Sequence, residues 1–141
     1  MSNVYAELGT SFANSATANP RFAAALVGTY IKHMGADHVV WGTDSLWYGS
    51  PQWQIEAMRR LEIPRDMQRK HGFAPLGGAT SAVKNAIFGF NSARLYDLNL
   101  DPSSADYSPM RPEQFAEISR AYNQAGGLIA NETCGYIKQT A

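Results

Sequence analysis

The chain has 141 residues, one domain's length, enough to bury about two thirds of its unfolded surface if it folds alone. It is 45% hydrophobic and 17% charged, and twelve basic residues balance twelve acidic ones. A neutral chain with no basic cluster argues against nucleic acid or an anionic membrane as the main partner, and its most apolar run, Phe22 to Ile31, is far too short to cross a bilayer.

No basic segment followed by an apolar core opens the sequence, so no secretory signal is expected. The lone cysteine, Cys134, excludes an internal disulfide and fits a reducing compartment, which points to the cytoplasm. Nothing near it in sequence would activate it as a nucleophile, so it is read as an ordinary thiol.

Asn3-Val4-Tyr5-Ala6-Glu7-Leu8-Gly9 reads as a strand from its β-branched, aromatic and aliphatic content, with Glu7 near the carboxyl end. Thr10 to Asn19, rich in Ser, Thr, Ala and Asn, reads as a loop, longer than the usual βα connection. Asn19-Pro20 then starts a helix, the Asn as cap and the Pro at the first helical position. Phe22, Leu26 and Tyr30 recur at helical spacing, with Ala23, Val27 and Ile31 on the adjoining stripe, a face suited to packing on a sheet. Gly35 ends it.

The next strand is Val39-Val40-Trp41, three bulky apolar residues that fit a strand covered on both faces by helices. Strand, helix and strand make a βαβ unit with parallel strands and a right-handed crossover. Gly42 and Thr43 release the chain, and Asp44 arrives at the carboxyl end of the strand, where parallel α/β folds bind ligands. There an Asp either ligates a metal and takes protons, or makes a side-chain turn or caps the following helix. His33 and His38 fall at the opposite end of the sheet, which serves stability, and neither is read as a ligand.

Ser50-Pro51 starts a helix to about Glu62, with Ile55, Met58 and Leu61 inward. Ile63-Pro64 breaks it, and a short polar helix follows to Gly72, with His71 exposed. Gly77-Gly78 resembles a phosphate-binding turn but lacks the preceding strand and the following Lys-Ser/Thr. Thr80 or Ser81 caps a helix carrying Val83, Ile87 and Phe88. Gly89 interrupts it, and Asn91 is placed to cap a last short helix, Ser92 to Tyr96. Pro112 starts an amphipathic helix with Phe115, Ile118 and Tyr122 inward, stopped by Gly126-Gly127. The tail, Leu128 to Ala141, carries no assignable pattern.

Two strands and about five helices make a poor closed fold, because a two-stranded parallel sheet leaves both outer edges unpaired and open to association. Ala36-Asp37-His38-Val39-Val40-Trp41-Gly42-Thr43-Asp44-Ser45-Leu46-Trp47 resembles the last barrel strand of the metal-dependent amidohydrolases, in the amidohydrolase-related branch that also holds decarboxylases. Ala86-Ile87-Phe88-Gly89-Phe90-Asn91-Ser92-Ala93-Arg94-Leu95-Tyr96 resembles that family's closing helix. The resemblance covers roughly residues 3 to 98. It implies an α/β fold that is part of a TIM-type (β/α)8 barrel, its last two strands, incomplete on its own. Residues 1–98 would be the carboxyl-terminal portion of that barrel and 99–141 an extension with one amphipathic helix.

By the same resemblance Asp44 is the catalytic aspartate, binding a divalent metal (zinc or manganese) and shuttling protons to the metal-bound water, with Ser45 and Trp47 lining the substrate pocket. The family's His-x-His and the histidines after its fifth and sixth strands are absent. The chain alone is therefore expected to hold no metal and to be inactive, a fragment of an enzyme acting on a small molecule by hydrolysis or decarboxylation. The alternatives are a non-catalytic protein that forms homo-oligomers through its open sheet edges, and a small-molecule binding module around Glu7, Asp44 and Trp47.

Overall fold

The computed structural model describes residues 3–45, 47–107 and 109–125. They fall into two compact units, Met1–Asp97 and Leu98–Ala141. The first is built on a parallel pair, β1 (Ala6–Glu7) and β2 (Val39–Val40), in the register Ala6↔Val39 and Glu7↔Val40. The ladder is shorter than the apolar runs around it, and within this sheet each strand has one neighbour. Between the strands come α1 (Gly9–Ala18), α2 (Pro20–Met34) and a 3₁₀ turn at Ala36–His38. After them come α3 (Gln52–Arg60), α4 (Arg65–His71), α5 (Ala82–Asn85), a π turn at Ala86–Phe90 and α6 (Asn91–Leu95). The fold is mixed and helix-rich, with the parallel strands expected of part of an α/β protein. No helix among the described residues is long and apolar enough to cross a membrane.

The segment expected to be a loop is α1. Its Ser, Thr and Asn content hides an apolar side, Phe12, Ala13 and Ala16, all buried, and Phe12 and Ala16 join the main core. Ser15 removes its own polar cost by donating its hydroxyl to the Ser11 carbonyl, 2.7 Å away. Tertiary packing thus overrides weak local propensity. Asn19 ends α1 and caps α2, accepting the Phe22 amide at 3.1 Å.

The buried side of α2 is made of its small residues, Ala23, Ala24, Val27 and Gly28. Phe22, expected inward, is 55% exposed. A Cβ on Gly28 would come within 2.8 Å of the Phe73 ring, so a larger residue there would block that contact. Close approach, more than bulk, sets this face.

The core gathers Leu8, Phe12, Val27, Val39, Met58, Leu61, Ile63, Leu76 and Ile87, with Trp41 and Phe88 packed against it. Trp41 meets Phe12 at 5.8 Å and Phe88 at 4.7 Å between ring centres. Val39 belongs to this cluster and Val40 does not. Successive strand residues point to opposite faces, and both valines are buried, Val39 inside the helical core and Val40 outside that cluster. The other face carries the Tyr5 and His38 rings, stacked with centroids 4.9 Å apart.

Asn91 does not cap a helix. It has α-helical backbone angles inside a run that stays helical through the π turn, so Gly89 does not interrupt it. The buried Asn91 amide instead donates to the Ala36 carbonyl (2.8 Å) and the Val39 carbonyl (2.7 Å). Arg94 adds a bond to the Asp37 carbonyl at 2.5 Å. Lys84 is also fully buried, its ammonium donating to the Arg59 carbonyl at 2.7 Å in the last turn of α3. Burial pushes its pKa down, and nearby Glu62 opposes that.

In the second unit Arg111 organises the chain before α7 (Pro112–Gln124). Its guanidinium donates to the Pro102 and Ser104 carbonyls at 3.0 and 2.8 Å and lies 5.1 Å from the Tyr107 ring centre. Phe115, Ile118 and Tyr122, expected inward, are 50% or more exposed. The expected Gly126-Gly127 stop, the tail and Cys134 lie outside the described residues.

Asn91→Ala leaves the buried Val39 carbonyl unsatisfied, at about 1–3 kcal/mol, and removes the bond to the part-buried Ala36 carbonyl, at about 1 kcal/mol. Urea unfolding followed by tryptophan fluorescence is expected to show a loss of about 2–4 kcal/mol. An unchanged midpoint would show that the Asn91 amide does not hold β2.

Candidate active site at the strand ends

The parallel register brings the carboxyl ends of β1 and β2 side by side, and each delivers one carboxylate. Glu7 ends β1. Its carboxylate lies over Gly42: a Cβ on Gly42 would fall on Glu7 Oε1, and one on Gly9 would sit 2.5 Å from Glu7 Oε2. Gly42 and Gly9 therefore make the space in which this carboxylate rests.

Asp44 follows β2 in the left-handed region, φ 48°, a conformation Asp tolerates better than most residues. Its side chain neither caps the following helix nor makes the local turn. Ser50 Oγ accepts the Gln52 amide at the start of α3, and Thr43 Oγ1 accepts the Ser45 amide. Asp44 Oδ2 instead accepts the hydroxyl of Thr10 in the first turn of α1. Negative charge is favoured there by the unpaired amides and dipole of a helix start.

The loop that carries Asp44 is held at several points. Gln54, fully buried in α3, donates to the Thr43 carbonyl at 2.9 Å. Trp53 Nε1 donates to the Tyr48 carbonyl at 3.2 Å, and Asn14 of α1 reaches the Tyr48 hydroxyl at 3.5 Å. The Tyr48 amide donates to the Asp44 carbonyl at 3.4 Å. The other amide atom of Gln54, Oε1, is buried with no partner among the described residues. Ser45 is exposed, and Trp47 is 90% exposed, so neither packs into the core.

The three histidines stand elsewhere. His38 stacks on Tyr5, with Nδ1 3.1 Å from Asp37 Oδ1, and the imidazole holds the Asp37 carboxyl below its usual range. His33 and His71 line an open polar cleft with Lys32 and Lys70, at the carboxyl ends of α2 and α4, where cations complement the helix dipole. Among the described residues no group of three or more His, Cys, Asp or Glu side chains is placed to hold a metal ion.

The sequence model of the amidohydrolase family matches residues 1–98. The chain belongs to the amidohydrolase family. That span coincides with the first unit and takes in both motifs on which the resemblance rested. No curated protein and no solved structure matches the chain. Amidohydrolases are hydrolase-superfamily proteins that act on small molecules and generally use divalent metals.

Thr10, Asn14 and Gln54 were missed from sequence. A helical reading of residues 9–18 would have set Thr10 and Asn14 one turn apart on one face, and the reading as a loop concealed that. Gln54 gave no local signal, because its role depends on a carbonyl in a loop folded back over it.

Gly42→Ala is expected to push the Glu7 carboxylate off the strand ends while changing stability by less than about 1 kcal/mol, since the clash is with the far end of a flexible, exposed side chain. The Glu7 carboxyl carbon shift, read by NMR beside a thermal melt, checks this. An unmoved Glu7 resonance would contradict the placement.

Proposed function

We propose that residues 1–98 form the Asp44 end of a metal-dependent amidohydrolase barrel, with β1 and β2 as its seventh and eighth strands. The observation that carries this reading is the Asp44 carboxylate, delivered at the end of a parallel strand and engaged by Thr10 instead of by a cap or turn. The family match, the parallel register and the strand edges left open by this sheet support it.

In the assembled barrel Asp44 is the ligand and proton acceptor that this segment contributes, and Ser45 and Trp47 line the mouth where a small molecule enters. The exposure of Trp47 leaves its ring available for that contact. Zinc or manganese is the proposed metal. A catalytic zinc takes about three protein ligands, and this segment offers Asp44 alone, so the 141-residue chain by itself is proposed to be inactive. The reaction proposed is hydrolysis, with decarboxylation as the alternative within the superfamily. The open sheet edges favour one further reading, self-association without catalysis.

Metal content by plasma mass spectrometry on the purified chain, run with light scattering, separates these. Well under one metal per chain is expected, and one tightly held zinc or manganese would overturn the assignment of ligands. A defined, metal-free oligomer would favour the non-catalytic reading. In an assembled barrel that turns over, Asp44→Asn is expected to lower kcat at least about 100-fold with the fold intact. Full activity in that variant would end the role proposed for Asp44.

A further inference from the structure

We propose that Thr10 is a positioning residue for Asp44, its hydroxyl fixing one oxygen of the carboxylate and leaving the other for chemistry. The inference rests on the reading of Asp44 given above, but its test does not. Asp44 is only partly buried and sits on a loop, so nothing in its own backbone fixes where the carboxylate points. The left-handed backbone sets the direction of Cβ. The Cα–Cβ torsion of an Asp on a loop has three staggered wells open to it and its terminal torsion is broad, so both must be held by a partner.

Thr10 is that partner: its Oγ1 donates to Oδ2, and among the described residues Oδ1 receives no hydrogen bond. A second contact repeats the first. Asn14, four residues after Thr10, reaches Tyr48, four residues after Asp44. Residues four apart share a helix face, so one face of α1 runs along the loop at a constant sequence offset. The Asp44 loop is thereby docked on a helix of the core, through Phe12 and Ala16, and does not swing free. A carboxylate that must meet a proton or a ligand at a defined angle benefits from this, because misplacement of a reacting group by about 1 Å costs roughly 100-fold in rate.

The test is the side-chain rotamer of Asp44, read from three-bond carbon and nitrogen couplings by NMR on the labelled full chain. Wild type is expected to show one rotamer. Thr10→Val, which swaps the hydroxyl for a methyl at nearly constant volume, is expected to give couplings averaged over several rotamers. Thr10→Ser, which keeps the hydroxyl, is expected to restore the single state. Thermal melts of all three report any general loss of structure, which serine would not selectively rescue. Averaged couplings in wild type, or wild-type couplings in Thr10→Val, would overturn the proposal. The wild-type measurement stands even if a variant fails to fold. These couplings report orientation whether or not Asp44 reacts, so failure here is distinct from failure of the Asp44→Asn experiment.

Discussion

The pairing of Ala6 with Val39 and Glu7 with Val40 is the constraint on which the strand-end site depends. Two ladder residues are few, yet their register sets which side chains meet at the mouth. It lays Glu7 over Gly42 and brings the first turn of α1 to the loop after β2. A slip of one residue would invert the faces of a strand. It would take Val39 out of the helical core and the Glu7 carboxylate away from Gly42.

So short a ladder does not hold itself. Its register is set from outside by side chains of the closing helical run. The Asn91 amide reaches two carbonyls around the start of β2, those of Ala36 and Val39, and Arg94 takes that of Asp37 between them. The buried Val39 carbonyl would otherwise need a partner where water is largely excluded. The buried Lys84 plays a similar part at the end of α3. The polar groups of this unit act chiefly as backbone partners, and its apolar groups supply the non-specific cohesion. The motif around Asn91 takes its place in that division by holding the start of β2.

The loop from Thr43 to Tyr48 shows the same logic around Asp44. Gln54 and Trp53 anchor it from α3, and Thr10 and Asn14 from α1. A left-handed Asp on such a loop is a backbone arrangement that cohesion of the core alone would not select. The two helices define the loop between them, so the position of Asp44 depends on a helix that begins at the end of the other strand.

Much of this was legible in the residues. Asn19-Pro20 announced α2 and Gly35 its end, because capping chemistry is local. The apolar run at Val39 announced β2, and the order of the two motifs announced the family. The sequence by itself determined where the helix ends and the buried strand fall and which carboxylate stands after it, since backbone caps and burial depend on neighbours a few residues away. Only the tertiary structure decided that residues 9–18 are helical, that α2 buries its alanines and not Phe22, that Val39 and not Val40 joins the core cluster, and that Asn91 reaches β2 instead of capping a helix. Each of these turns on a contact between residues far apart in the chain, as the bond from Thr10 to Asp44 also does, and local propensity carries no record of such contacts.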